Sequence, residues 1–132
     1  MKPITIGIVA RQAGVNVETI RFYEREALIE KPPRRGTGYR QYPQDTVARI
    51  RFIRRAKELG FSLNEIKELL ELRTSTRPAC VEVRRCAKDK ILDIKRKVRD
   101  LQRMKKALMQ LTMACEGRGP ATPCPILEAL ED

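Results

Sequence analysis

The sequence predicts an all-α fold with a small wing: a winged helix-turn-helix head followed by a long coiled-coil helix and a terminal loop. Three observations carry this. All six aromatics, Phe22, Tyr23, Tyr39, Tyr42, Phe52 and Phe61, lie in the first half of the 132 residues. All four cysteines, Cys80, Cys86, Cys115 and Cys124, lie in the second. In that second half a charged stretch, 81–112, has no Gly or Pro, so nothing local interrupts it.

The head's elements follow in order. Ile6, Val9 and Ala10 suggest a short helix that ends at Gly14. Asn16 is a good N-cap for a second helix, and Glu18 falls in its first turn, where the dipole favours an acid. That helix carries Val17, Ile20, Phe22 and Tyr23. Two short helices around a Gly-containing turn are the helix-turn-helix pattern. Two prolines and two glycines in 31–38 bar any further helix there. The segment 39–42 then reads as a short strand, and the basic hairpin so formed can reach backbone phosphates or the minor groove. Pro43 and Gln44 open a third helix carrying Val47, Ile50, Phe52, Ile53 and Leu59, stopped by Gly60. Ser62 and Glu65 have capping-box spacing and start a fourth helix, Leu63 to Leu72.

The tail divides further. Residues 73–80 read as a polar connector containing Pro78, 81–112 as a dimerisation helix, and 113–132 as a loop with a short terminal helix. In 81–112, Ala87, Ile91, Ile94, Val98, Leu101 and Leu108 fall on steps of three and four, a coiled-coil seam in which Lys105 is the one charged position. Such a stripe needs a partner helix, and a homodimer is the economical one.

Charge and composition bound the function. Lys plus Arg number 28 against 17 Asp plus Glu, a net +11, which points to an anionic partner. The absence of histidine excludes Ser-His and Cys-His catalysis and every imidazole metal site. With no Cys-x-x-Cys either, a thiol-transfer enzyme is not expected. No apolar run approaches the ~20 residues that span a bilayer, and the opening MKPITIGIVA is too short for a signal peptide. A cytoplasmic protein is expected, where grouped cysteines more often bind metal or sense redox state than form disulfides.

A helix over 81–112 is ~48 Å long at ~1.5 Å per residue. Within one chain, Cys80 is then too far from Cys115 and Cys124 to share a small site with them. If two such helices pair antiparallel, Cys80 of one subunit arrives beside Cys115 and Cys124 of the other, giving two equivalent three-thiolate sites. Structural zinc normally takes four ligands, so three thiolates suit a softer ion. Cys86 lies off the seam and reads as a small packing residue.

These motifs resemble those of the MerR family of transcription regulators. The resemblance lies in Ile6-Gly7, in 14–24 (GVNVETIRFYE), in 38–42 (GYRQY) and in 59–66 (LGFSLNEI). The cysteine spacing and Cys124-Pro125-Ile126 are similar to the mercury-responsive branch. The resemblance implies a homodimer on double-stranded operator DNA of inverted-repeat form, within a promoter whose spacer is too long. It implies repression without metal. With Hg(II) as effector, the bound dimer bends and untwists the spacer so that RNA polymerase can open the promoter. It also implies Hg(II) held by Cys80 of one subunit and Cys115 and Cys124 of the other. Thr19, Arg21 and Tyr23 are expected on or beside the recognition helix in the major groove, Tyr39 and Arg40 on the wing, and Arg55 of the following helix against phosphate. Lead-responsive relatives have similar cysteine spacing. A lead or cadmium sensor and a redox regulator with a Cys115–Cys124 disulfide are therefore the alternatives. Ala27 stands where the family commonly has Gly, which predicts strain at the end of the recognition helix.

Overall fold

The computed structural model describes residues 4–35, 39–115, 117–119 and 124–131. Six helices and a two-stranded ribbon follow one another: α1 (Ile6–Ala13), α2 (Val17–Arg25), β1 (Arg34–Arg35), β2 (Tyr39–Arg40), α3 (Asp45–Glu58), α4 (Leu63–Thr74), α5 (Cys80–Met113) and α6 (Pro125–Glu131). They form two compact units, Met1–Val83 and Arg84–Asp132. The all-α-plus-wing expectation holds, and α5 starts at Cys80, so that cysteine is the first residue of the helix.

The first unit is built around α1, α2, α3 and α4. Val9, Ile20, Leu28, Ile50, Ile53 and Ile66 are wholly buried, and Phe22, Phe52, Phe61 and Leu63 pack against this core from its edge. The helix starts are those the sequence predicts. Asn16 Oδ1 accepts the Thr19 backbone N–H at 2.8 Å. Ser62 and Glu65 complete a reciprocal capping box, with bonds of 3.2 and 2.8 Å.

Three helix ends use one device. After α1, Val15 N–H reaches the Ala10 carbonyl and Gly14 N–H reaches Arg11; after α3, Phe61 reaches Ala56 and Gly60 reaches Lys57. This is the Schellman arrangement, which places the penultimate residue in the left-handed region and favours glycine there. Gly14 (φ 72°) has a second reason to be glycine: a Cβ would lie 2.7 Å from Arg54 Nη1. After α2 the same bonds recur, Leu28 to Tyr23 and Ala27 to Glu24, but the left-handed residue is Ala27, at φ 59°. An L-residue there costs ~1–2 kcal/mol. Glycine returns ~0.4–1 kcal/mol of that as unfolded-chain entropy. Ala27→Gly is therefore expected to stabilise the head by about 0.5–1 kcal/mol, read as a higher midpoint in urea at unchanged slope.

Arginines of α3 tie the helix-turn-helix together, a function the sequence did not reveal. Arg51 Nη2 donates to the Gln12 carbonyl at 2.6 Å, Arg54 Nη1 to that of Gly14 at 3.1 Å, and Arg49 Nε to that of Leu28 at 2.9 Å. Each satisfies a carbonyl at a helix end or turn that has no intrahelical partner. The ribbon is antiparallel, with Arg34 opposite Arg40 and Arg35 opposite Tyr39. Tyr42, expected within the strand, instead pairs by its backbone with Ile4.

In the second unit, α5 carries its apolar seam unburied: Ile91, Ile94, Val98, Leu101 and Leu108 are each at least 42% exposed. Ion pairs lie along the same helix. Asp93 meets Lys97 at 3.1 Å and Lys90 at 3.4 Å. The Lys97 hydrogen bond leads in holding its carboxyl below the usual range. The terminal helix begins at Pro125, suited to a first helical position, and extends the expected Leu127–Leu130 in both directions.

Candidate functional site

Two sets of residues were expected to work: a DNA face in the head and three cysteines in the tail. On α2, Arg21 is exposed and Thr19 is half-buried, its hydroxyl donating to Asn16 Oδ1 at 2.8 Å. Thr19 thus helps to fix the start of the helix as well as lining it. Arg40 is half-buried on β2. The Tyr39 backbone forms the ribbon, and its side chain lies outside the described residues, as do residues 36–38. Arg55 is exposed on α3, 3.2 Å from Glu58. Beside the α1–α2 turn a cleft of about 400 Å³ is lined by Arg11, Arg51, Arg54, Arg55 and Glu58. This cluster of positive charge went unnoticed in the sequence because its members lie up to 44 positions apart.

Tyr23 is a correction. It is 3% exposed, three residues from the wholly buried Ile20 and therefore on the same helix face. Its burial raises the hydroxyl pKa above the usual value, with Arg54 opposing. Tyr23 thus secures α2 in the core and does not face a groove. The edge positions of Phe22 and Phe52 are capped by cations, Lys57 at 5.7 Å and Arg73 at 5.1 Å from the ring centres.

All four cysteines are free thiols; Cys80 is exposed, and Cys86, Cys115 and Cys124 are half-buried. Cys80 opens α5, and Cys115 lies two residues past its end. A 34-residue helix measures ~51 Å. Cys115 Sγ accepts the Gly117 N–H at 3.4 Å. Cys124 directly precedes α6. Among the described residues of a single chain, no three metal-ligating side chains are gathered. The donor set is chemically suited to a thiophilic ion: unoxidised sulfurs, no imidazole, and two of the three flanking one Gly/Pro-rich loop.

The head and the long helix both match known sequences. Residues 4–72 match the MerR HTH family regulatory protein model, and 47–111 match the model described as MerR, DNA binding. The chain belongs to the MerR family. It is 42% identical over 131 residues to the mercuric resistance operon regulatory protein of Serratia marcescens, covering 99% of this chain and 90% of that protein. Among solved structures, the dual function regulator MerR of Bacillus megaterium MB1 in complex with mercury(II) matches at 41% identity. Its TM-score is 0.74, with 98% of this chain and 100% of that chain covered. The regulator PbrR691 of Ralstonia metallidurans CH34, in complex with lead(II), matches with a TM-score of 0.85 at 32% identity, over 96% and 98% of the two chains. As a MerR-family member, this chain is a DNA-binding transcription regulator and not an enzyme. No helix among its described residues is long and apolar enough to cross a membrane.

Proposed function

We propose that this chain is a mercury(II)-responsive regulator, acting as a cytoplasmic homodimer on inverted-repeat operator DNA. The observation that supports it most is a helix with Cys80 as its first residue and Cys115 two residues past its last, whose apolar seam is unburied, with Cys124 nine residues further along the chain. A second copy packed antiparallel along that seam covers Ile91, Ile94, Val98, Leu101 and Leu108. It also brings the partner's Cys80 to Cys115 and Cys124. A mercuric ion there supplies a soft, strongly sulfur-seeking centre that ties one subunit's terminal loop to the other's helix start. Ligands drawn from two subunits make metal affinity depend on the arrangement of the dimer, the condition for an effector to shift it.

In the head, Arg21 and Arg40 are suited to bases or phosphates and Arg55 to phosphate, with Thr19 and Tyr39 beside them. Without metal the dimer holds its operator as a repressor. With metal it distorts the promoter spacer, and RNA polymerase opens the promoter. The similarity to a lead(II)-bound regulator keeps a lead or cadmium specificity as the second reading.

The test is a titration of the dimer with Hg(II), Pb(II), Cd(II) and Zn(II) under excess small thiol. One Hg(II) retained per subunit, outranking the other metals, is the expected result. A preference for Pb(II) or Cd(II) reassigns the specificity, and no retention of any metal removes the sensor reading.

A further inference from the structure

We infer that Glu24 and Tyr42 form a clasp that sets the wing against the recognition helix, making both positioning residues for sequence discrimination by the head. The inference rests on the DNA-binding activity of the family and concerns residues that need not touch DNA. Tyr42 is 1% exposed and held from two sides. Its backbone N–H donates to the Ile4 carbonyl at 2.7 Å and its carbonyl accepts from Ile4 at 2.9 Å. Its hydroxyl donates to Glu24 Oε1 at 3.0 Å. One residue thus joins the segment before α1, the last turn of α2 and the chain leaving β2.

Glu24 is poorly placed for the helix it occupies. An acid in the last turn opposes the helix dipole, so α2 gains nothing from it by itself. Its second oxygen, Oε2, is buried without a hydrogen-bond partner among the described residues, a further cost. The Tyr42 bond and nearby positive charge are what offset these costs. Arg21 and Arg40 both act electrostatically on the Tyr42 hydroxyl, so they lie around the clasp. Arg21 belongs to α2 and Arg40 to β2. The clasp therefore joins the two elements that carry these candidate contacts, and base readout requires such elements to be held within about 0.5 Å. Burial and the Glu24 carboxylate push the Tyr42 hydroxyl up to about 12, so it remains a donor throughout the working range of pH.

Tyr42→Phe removes the hydroxyl and keeps the buried ring. Glu24→Gln removes the charge and keeps an oxygen that can accept the hydroxyl. Wild type and both variants are compared on a duplex selected by the wild-type dimer from a randomised pool, and on a scrambled duplex of equal composition, with thermal melting alongside. Tyr42→Phe is expected to lower the selected-to-scrambled affinity ratio about tenfold, within the range of one good base contact. Scrambled-duplex affinity should stay unchanged, because phosphate attraction is independent of sequence. Glu24→Gln is expected to lower the ratio less than threefold. The clasp is overturned if Tyr42→Phe keeps the wild-type ratio, or if both affinities fall by one factor as melting falls. A wild-type dimer that enriches no sequence contradicts the DNA reading itself, an outcome distinct from failure of the variants.

Discussion

Cys80→Ser, Cys115→Ser and Cys124→Ser, made singly, are each expected to abolish the metal response while operator affinity stays near wild type. Changes in the hydrogen-bonded surroundings of a metal ligand already cost ~10–100-fold in affinity. Loss of a ligand from a three-thiolate site should cost more than ~100-fold, enough for a competing small thiol to strip the ion. The head is spared because its core cluster runs from Val9 to Leu70 and contains no cysteine. Cys86→Ser, on the same helix but away from the seam, is expected to leave metal retention within about threefold. Retention under competing thiol and operator binding, measured on the same preparations, check both halves.

The second large effect concerns assembly. Ile94 and Leu101 are 42% and 61% exposed on α5 and belong to the seam. Burying a side chain of this kind contributes ~1.5–3 kcal/mol. About half of each side chain remains to be buried and a twofold dimer contains each residue twice, so replacing both positions by lysine removes ~3–6 kcal/mol before any charge repulsion is counted. Micromolar to nanomolar dimers are held by about 8–12 kcal/mol. Ile94→Lys/Leu101→Lys is therefore expected to be monomeric at micromolar concentration in sedimentation. Operator affinity should fall by ~100-fold or more, as the second half-site ceases to be an intramolecular partner. A dimeric double variant would show that the seam is not the interface.

Much of the fold was legible because its signals are local. Asn16, Ser62 with Glu65, Gly14 and Gly60 mark helix starts and stops through atoms within a few residues, and each acts as read. Ala27 was legible as a departure, and the left-handed φ shows where the strain resides. What escaped notice was long-range. Pattern alone does not reveal that Arg49, Arg51 and Arg54 donate to helix-end carbonyls while Arg55 pairs with Glu58 of its own helix, since all four share one charge and one helix. Tyr23 was misread for a related reason: next to Arg21, a tyrosine suits a groove as well as a core. Its place on the Ile20 face decides between them. The Ile4–Tyr42 pairing joins positions 38 residues apart and carries no turn signal. The cysteines are the opposite case. Their spacing, one at the start of a long helix and two beyond its end, was plain, yet a site made from them requires a second chain, which only the seam implies.

The account turns on metal sites shared between subunits, and mixed dimers test that directly. A Cys80→Ser subunit paired with a Cys115→Ser subunit has one site that lacks both residues and one that retains all three cysteines. Neither variant alone has an intact site. After subunit exchange, the mixed dimer is predicted to retain one Hg(II) under competing thiol while both homodimers retain none. Mixed dimers as empty as their parents would contradict the shared site.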